Sequence, residues 1–250
     1  MPLSKNFRPQ KNFSLIRCGR NNDGGYLLSK NVILETKVLI SFGISDDISF
    51  ETDFLKINPV KNYCYDKSLV QSFWKKKIFN DLVASIYNLN LNLINSTLKK
   101  YFEFRNFFKN KNSVLNVETI QNGSIRKIIN YYKLENLIFF KIDIEGSEYR
   151  ILDELIDYQD KICGLIIEFH DIDLHREKIN NFIKKFNLTL THIHPNNYGG
   201  VDAFSDPLVI EMTFEKNPIE ENNLNSIFPK LLDQPNNPSQ PEINLNFEKI

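Results

Sequence analysis

In the stretch FFKIDIEGSEYRIL (139–152), Asp143, Glu145 and Glu148 stand just past a run of apolar residues and just before a helical pattern. Burying charge is costly, so carboxylates in such a place need a reason. The arrangement recurs along the chain. Ser45 and Asp46 follow the run VLISFGI, Asp66 closes VKNYCYD, and Glu168, His170 and Asp171 close GLIIEFHD. Each position alone suits a helix cap or a polar loop. Together they describe a crevice with several carboxylates and a histidine, able to accept hydrogen bonds and to move a proton. His170 is the first candidate for a general base, with Glu168 or Asp171 beside it to fix its tautomer, and Asp143 is the second. Asp143, Glu145, Glu168 and Asp171 also offer enough hard oxygen for Mg2+, although no spacing demands a metal. His192 and His194 lie two apart on an alternating segment and so face one way. With Asn196, Asn197 and Tyr198 they form a polar cluster, suited equally to recognising a hydroxylated ligand or to closing a strand end.

These residues need strands to position them. VLISFGIS (38–45), VKNYCYDKS (60–68), LIFFKIDI (137–144) and CGLIIEFH (163–170) read as strands, followed by LTLTHIH (188–194) and LVIEMTF (208–214). Most are continuous apolar runs, which favours a mainly parallel sheet covered by helices on both faces. The last two strands are joined by a short loop, PNNYGG and its surroundings, which suits an antiparallel pair. The expected fold is a doubly wound α/β sheet in a single domain, 1–250, and ligands of such sheets bind beyond the carboxyl ends of the strands. Residues 71–100 read as one long helix with Phe73, Trp74, Ile78, Leu82, Ile86 and Tyr87 on its buried face, and YFEFRNFF (101–108) reads as a strand. The 71–112 segment is thus a helical, aromatic insertion. From 217 to 250 the chain is rich in Pro and Asn and reads as an extended surface tail.

Composition narrows the class. The chain has 250 residues, 42% of them hydrophobic, enough for one substantial core. Lys plus Arg and Asp plus Glu are both 31, so there is no basic excess of the kind a nucleic-acid binder carries. Cys18, Cys64 and Cys163 are far apart, without metal spacing, as expected of reduced thiols in a cytoplasmic protein. The N-terminus lacks an apolar signal region, and the longest apolar runs are too short for a transmembrane segment.

KIDIEGSEYRIL resembles the signature of the FkbM-type S-adenosylmethionine-dependent methyltransferases. RCGRNNDGGYLLS, LISFGISDDISFE, HIHPNNYGG, DPLVIEMTF and LLDQPNNP resemble, in order between about residues 16 and 240, blocks of the branch found with surface-polysaccharide genes. The 71–112 segment has no counterpart. The resemblance implies a seven-stranded, Rossmann-like methyltransferase sheet with its last strand antiparallel. It implies S-adenosylmethionine as cofactor, with Ser41, Phe42, Gly43 and Ser45 passing its methionine and ribose portions and Asp66 accepting hydrogen bonds from the ribose hydroxyls. Only Gly43 stands where such enzymes usually carry several glycines, so Asp23, Gly24, Gly25 and Tyr26 are expected to supply the missing contacts, with Asp23 on the methionine ammonium. The reaction implied is O-methylation of a sugar hydroxyl in capsule or surface-glycan biosynthesis. Glu145, His192, His194, Asn196, Asn197 and Tyr198 would then recognise the sugar, nucleotide-sugar or glycan acceptor. For 71–112 the options are a lid, a homodimer contact or a surface for an anionic acceptor, besides a plain covering helix. Two other readings stand beside this one. A dinucleotide-dependent oxidoreductase is disfavoured by the missing GxGxxG. A non-catalytic partner in a glycan-assembly complex would keep the same fold. A thermal-shift measurement separates the first two. At about a hundredfold excess over Kd, S-adenosylmethionine should stabilise the chain by about 2–3 kcal/mol while NAD leaves it unmoved; the opposite pattern would favour the oxidoreductase.

Overall fold

The computed structural model describes residues 2–221 and 228–248. Seven strands form the main sheet: β1 (Val38–Phe42), β2 (Lys61–Tyr65), β3 (Ser113–Asn116), β4 (Ile138–Ile142), β5 (Ile162–Phe169), β6 (Thr189–Pro195) and β7 (Ile210–Glu215). Their order is β3-β2-β1-β4-β5-β7-β6. β1 to β5 pair in parallel, whereas β7 runs antiparallel to both β5 and β6. This is the doubly wound, Rossmann-like sheet with an antiparallel last strand that the apolar runs and the short final connection led us to expect. Its order reverses between β1 and β4, and that switch point fixes where a ligand crevice can form.

Seven helices accompany the sheet: α1 (Lys30–Glu35), α2 (Ser49–Ile57), α3 (Phe73–Tyr87), α4 (Asn92–Phe107), α5 (Ser124–Tyr131), α6 (Leu152–Asp157) and α7 (Ile172–Lys185). Side chains of alternate parity serve opposite faces. Ile40, Phe42, Phe140, Ile142, Leu165 and Ile167 pack with residues of α5, α6 and α7. Leu39, Phe139, Cys163 and Ile166 pack with Val32 and Ile33 of α1 and Phe50 and Phe54 of α2. Because both parities are covered, these strands are apolar throughout and show no in–out alternation. Cys18, Cys64 and Cys163 are buried and free.

Two expectations change. Residues 101–108 are the end of α4, not a strand. Phe104 and Phe108 lie four apart on one helical face, and Phe104 and Tyr101 both meet the ring of Trp74. The strand at this edge is β3, a short run at 113–116. The single long helix is in fact two, α3 and α4, joined by a turn at 88–91 in which the Asn90 side chain accepts from the backbone of Asn92. The root of this hairpin packs on the sheet through Phe73, Trp74, Phe104, Phe107 and Phe108. Leu82, Ile86 and Tyr87, expected on a buried face, are exposed instead.

Of the expected tail, 222–227 and 249–250 lie outside the described residues. Residues 228–248 run along β6 and are fastened by polar groups. His192 Nε2 lies 3.1 Å from Asp233, and His194 sits between Glu211 at 3.3 Å and Glu242 at 3.4 Å. The Asn197 side-chain amide donates to the carbonyls of Asn237, Gln240 and Pro241. Burial opposes the charge on His194, but its hydrogen bond to Glu211 and its contact with Glu242 raise its pKa to about 10. A histidine whose folded pKa is raised stabilises the fold fully below its unfolded pKa of about 6.5, and that contribution is lost as pH climbs through the folded value. The melting temperature should therefore fall between about pH 7 and pH 10. His194→Gln should flatten this limb and cost about 3 kcal/mol at neutral pH. A limb unchanged in the variant would remove His194 as its source.

Candidate active site

At the carboxyl end of β1 the chain must turn against β4. The Asp143 backbone N–H donates to the Phe42 carbonyl at 2.9 Å. Gly43 has φ +71°, and a Cβ there would stand 1.5 Å from the Asp143 carbonyl oxygen, so only glycine fits. Asp66, at the end of β2, shapes the same loop. One carboxylate oxygen accepts from the N–H groups of Ile44 (3.1 Å) and Ser45 (2.8 Å), and the other accepts from the N–H and hydroxyl of Ser68 (2.7 and 2.6 Å). Four donors fill what a carboxylate can take. Asp66, read from sequence as the acceptor of the ribose hydroxyls, thus also fixes the turn after β1 with donors from the chain itself. Above it lies a cavity of about 320 Å³, bordered by Gly43, Ser45, Asp66, Asp143, Glu145 and, from the segment after β3, Glu118 to Ile120. That volume lies in the range of small-molecule sites. A second cavity of about 250 Å³ shares Tyr65 and Glu118 to Ile120 and continues toward Tyr131 and Tyr132.

Beside the first cavity lies a buried charge cluster. Lys141 on β4 is almost fully enclosed, donates to the Gly43 carbonyl at 2.7 Å and lies 3.5 Å from Asp143. Burial opposes its charge, yet Asp143, Glu51 and Glu168 together hold its pKa above the usual lysine value. Glu168 on β5 is buried and accepts from the Asn196 amide at 2.9 Å. Burial and the neighbouring Asp143 and Glu211 push its carboxyl well above the ordinary range. His170 follows β5. Its Nδ1 lies 3.0 Å from Glu148, and its Nε2 lies 3.4 Å from Glu145 and 3.7 Å from Glu168. Glu148 is fully buried, and the same oxygen that meets His170 also accepts from the N–H groups of Ile144 and Gly146. The residue that orients the imidazole is therefore Glu148, where the sequence suggested Glu168 or Asp171. Asp143, Glu168 and His170 each offer a ligand atom, all within 4.8 Å of one another. Two carboxylates and an imidazole suit a divalent cation, and this set replaces Glu145 and Asp171 of the four oxygen donors proposed from sequence.

The remaining sequence candidates divide. Ser41 and Phe42 are buried in β1, with Phe42 packed on Tyr65 and Phe140. Tyr26 is buried with its ring 5.6 Å from the Lys141 ammonium. Gly24 and Gly25 approach the chain's own Asp47 side chain and the Arg20 carbonyl. Asp23 meets Arg20 and the Asn236 amide, away from the cavity. His192, His194 and Asn197 are taken up by the segment 228–248, Asn196 braces Glu168, and Tyr198 is exposed. The sequence reading missed Lys141 and Glu118 to Ile120, and it gave Glu148 no role. Lys141 stood in the quoted motif as the lone charge inside an apolar run. Glu118 follows a strand end just as Asp66 and Asp143 do, but its strand was not recognised.

No family model matches the chain, and no curated protein matches it. Among solved structures it is similar to an rRNA methylase from Streptococcus thermophilus, at 10% identity over 74% of this chain and 93% of that one, with a TM-score of 0.38. A precorrin-6y C5,15-methyltransferase from Geobacter metallireducens is similar at 11% identity over 75% and 87%, TM-score 0.38. Spermidine synthase from Thermotoga maritima is similar at 12% identity over 83% and 70%, TM-score 0.40.

Burial lowers the His170 pKa, but the Glu148 hydrogen bond and the surrounding carboxylates outweigh it and raise the pKa overall. NMR titration should place the His170 midpoint above about 6.5. Glu148→Gln, which keeps the hydrogen-bonding shape and removes the charge, should lower it; an unmoved midpoint would refute the orienting role of Glu148.

Proposed function

We propose that the chain is an S-adenosylmethionine-dependent O-methyltransferase of the FkbM type, acting on a sugar hydroxyl in capsule or surface-glycan biosynthesis. The observation that carries this reading is the double membership of Asp143. It borders the 320 Å³ cavity and belongs to the Asp143–Glu168–His170 cluster, so a cofactor-sized space and acid–base groups meet at one side chain. The cofactor would lie over the switch point, between the loop held by Asp66 and the wall at Glu118 to Ile120.

Methyl transfer is an in-line displacement. The acceptor oxygen forms a bond to the methyl carbon as the carbon–sulfur bond breaks, its proton goes to a base, and S-adenosylhomocysteine leaves. His170 Nε2 is the base in this reading. Glu148 holds the other nitrogen as the donor and stabilises the imidazolium that results. Asp143 and Glu145 orient the acceptor, while Lys141, 3.5 Å from Asp143, holds that carboxylate in place. On a second reading Asp143, Glu168 and His170 would instead hold a divalent cation, which would supply Lewis acidity toward the acceptor hydroxyl. His170 would then be a ligand, and Glu145 at the cavity edge would take the proton.

Calorimetry with purified chain should show S-adenosylmethionine binding, and a panel of nucleotide-linked sugars should release S-adenosylhomocysteine with at least one acceptor. His170→Ala should cut turnover by about a hundredfold or more with cofactor affinity kept. Activity surviving in excess EDTA excludes the metal reading. Failure to bind S-adenosylmethionine, or near-normal turnover in both His170→Ala and Asp143→Asn, would overturn the proposal.

A further inference from the structure

The α3–α4 hairpin is built inside out. On α3, Phe79, Leu82, Val83, Ile86 and Tyr87 follow the spacing of one helical face, and all are exposed, Tyr87 to 88%. The turn adds Leu89, 94% exposed, and Leu91. A soluble hairpin normally buries such a stripe between its helices. Here polar groups occupy the seam. The buried Ser85 hydroxyl accepts from the Ile94 N–H at 3.1 Å, and the buried Thr97 hydroxyl donates to Asp81 at 2.6 Å. From Ile78 to Leu98 the only formal charge is Asp81, which is turned inward and also meets Lys77 at 3.8 Å. The distal half of the hairpin therefore presents carbon and amide to the outside, and no charge.

Charge collects at the other end. Residues 71–112 contain eight lysines and arginines against two acidic residues, a surplus of six in a chain whose total is zero. Lys75 and Lys76 at the start of α3 and Arg105, Lys109 and Lys111 toward the end of α4 are exposed. Lys77 and Lys100 are tied to Asp46, which fastens the hairpin to the loop after β1. An apolar tip with a basic collar about 15 Å behind it, given 1.5 Å per helical residue, matches the layering of an anionic bilayer. Polar hydrogen bonds in the seam and apolar side chains outside are also how helices pack in lipid. A second copy of the chain would bring the same positive surplus to the contact, which disfavours self-association.

We infer that the α3–α4 tip inserts into the surface of a membrane rich in anionic phospholipid, with the basic collar on the headgroups. This does not rest on the methyl-transfer reading. The test is flotation of the full chain with vesicles of mixed phosphatidylcholine and phosphatidylglycerol, beside vesicles of phosphatidylcholine alone. The chain should float with the anionic vesicles and be released by salt. Leu89→Asp with Leu91→Asp should lower the fraction bound about tenfold, and so should Lys75→Glu with Lys76→Glu. All four positions are exposed, and Leu89 has φ +50°, which aspartate adopts readily. Unchanged melting temperatures confirm the fold, and the lysine variant serves if the tip variant melts early. No flotation of the unmodified chain, or flotation of both variants undiminished from that of the unmodified chain, overturns the inference. So does a concentration-dependent dimer that the tip substitution dissolves while vesicles remain unbound, since a second copy would then be the occupant.

Discussion

The enclosed ammonium of Lys141 is the constraint on which the rest of the site depends. A charge taken out of water persists only where opposite charge and hydrogen bonds surround it. Lys141 finds them in the Gly43 carbonyl at 2.7 Å, Asp143 at 3.5 Å and the more distant Glu51 and Glu168. One side chain thus ties the turn after β1 to the acids at the ends of β4 and β5. The turn in turn has a fixed shape, because Asp66 takes its two N–H groups and Gly43 admits no side chain. The turn is preorganised by Asp66 and Lys141, whose own partners come from the chain, which is what a site must have to hold a ligand without first rearranging.

Charge also continues along the sheet. Glu168 on β5 stands directly opposite Glu211 on β7, and Glu211 opposite His194 on β6. Two carboxyl groups facing each other in this way destabilise a sheet if both are ionised, and the proximity of Glu211 is one reason the Glu168 carboxyl is pushed upward. Lys141 closes one end of the row and His194 the other, with Asn196 on Glu168 and Asn236 on Glu211 between them. The candidate active site and the seat of the segment 228–248 are therefore two ends of one buried polar band.

Much of the fold was legible because both sheet faces are covered. That burial leaves continuous apolar runs at β1, β4 and β5, and polar residues begin where the strands end. β3 was lost because it is only four residues long and its neighbour YFEFRNFF alternates by accident, while packing against Trp74 made it helical. The placement of Asp143, Glu145, Asp66 and His170 near one crevice could be read from strand ends alone. The partners of His170 could not, since Glu148 reaches it through a turn with Glu145 at φ +52° and Gly146 at φ +86°. Nor could those of His192 and His194, since Asp233 and Glu242 lie 41 and 48 residues downstream (233 − 192 and 242 − 194) and reach them through contacts that no local pattern records.

The seating of residues 228–248 has a consequence for biosynthesis. This segment follows every strand of the sheet, so it can be seated only on strands already made. Until it is seated, His192 lacks Asp233, His194 lacks Glu242 and Glu211 lacks Asn236. Residues 228–248 thus carry the groups that dry these side chains, and the polar edge of the sheet is closed only once they dock against it.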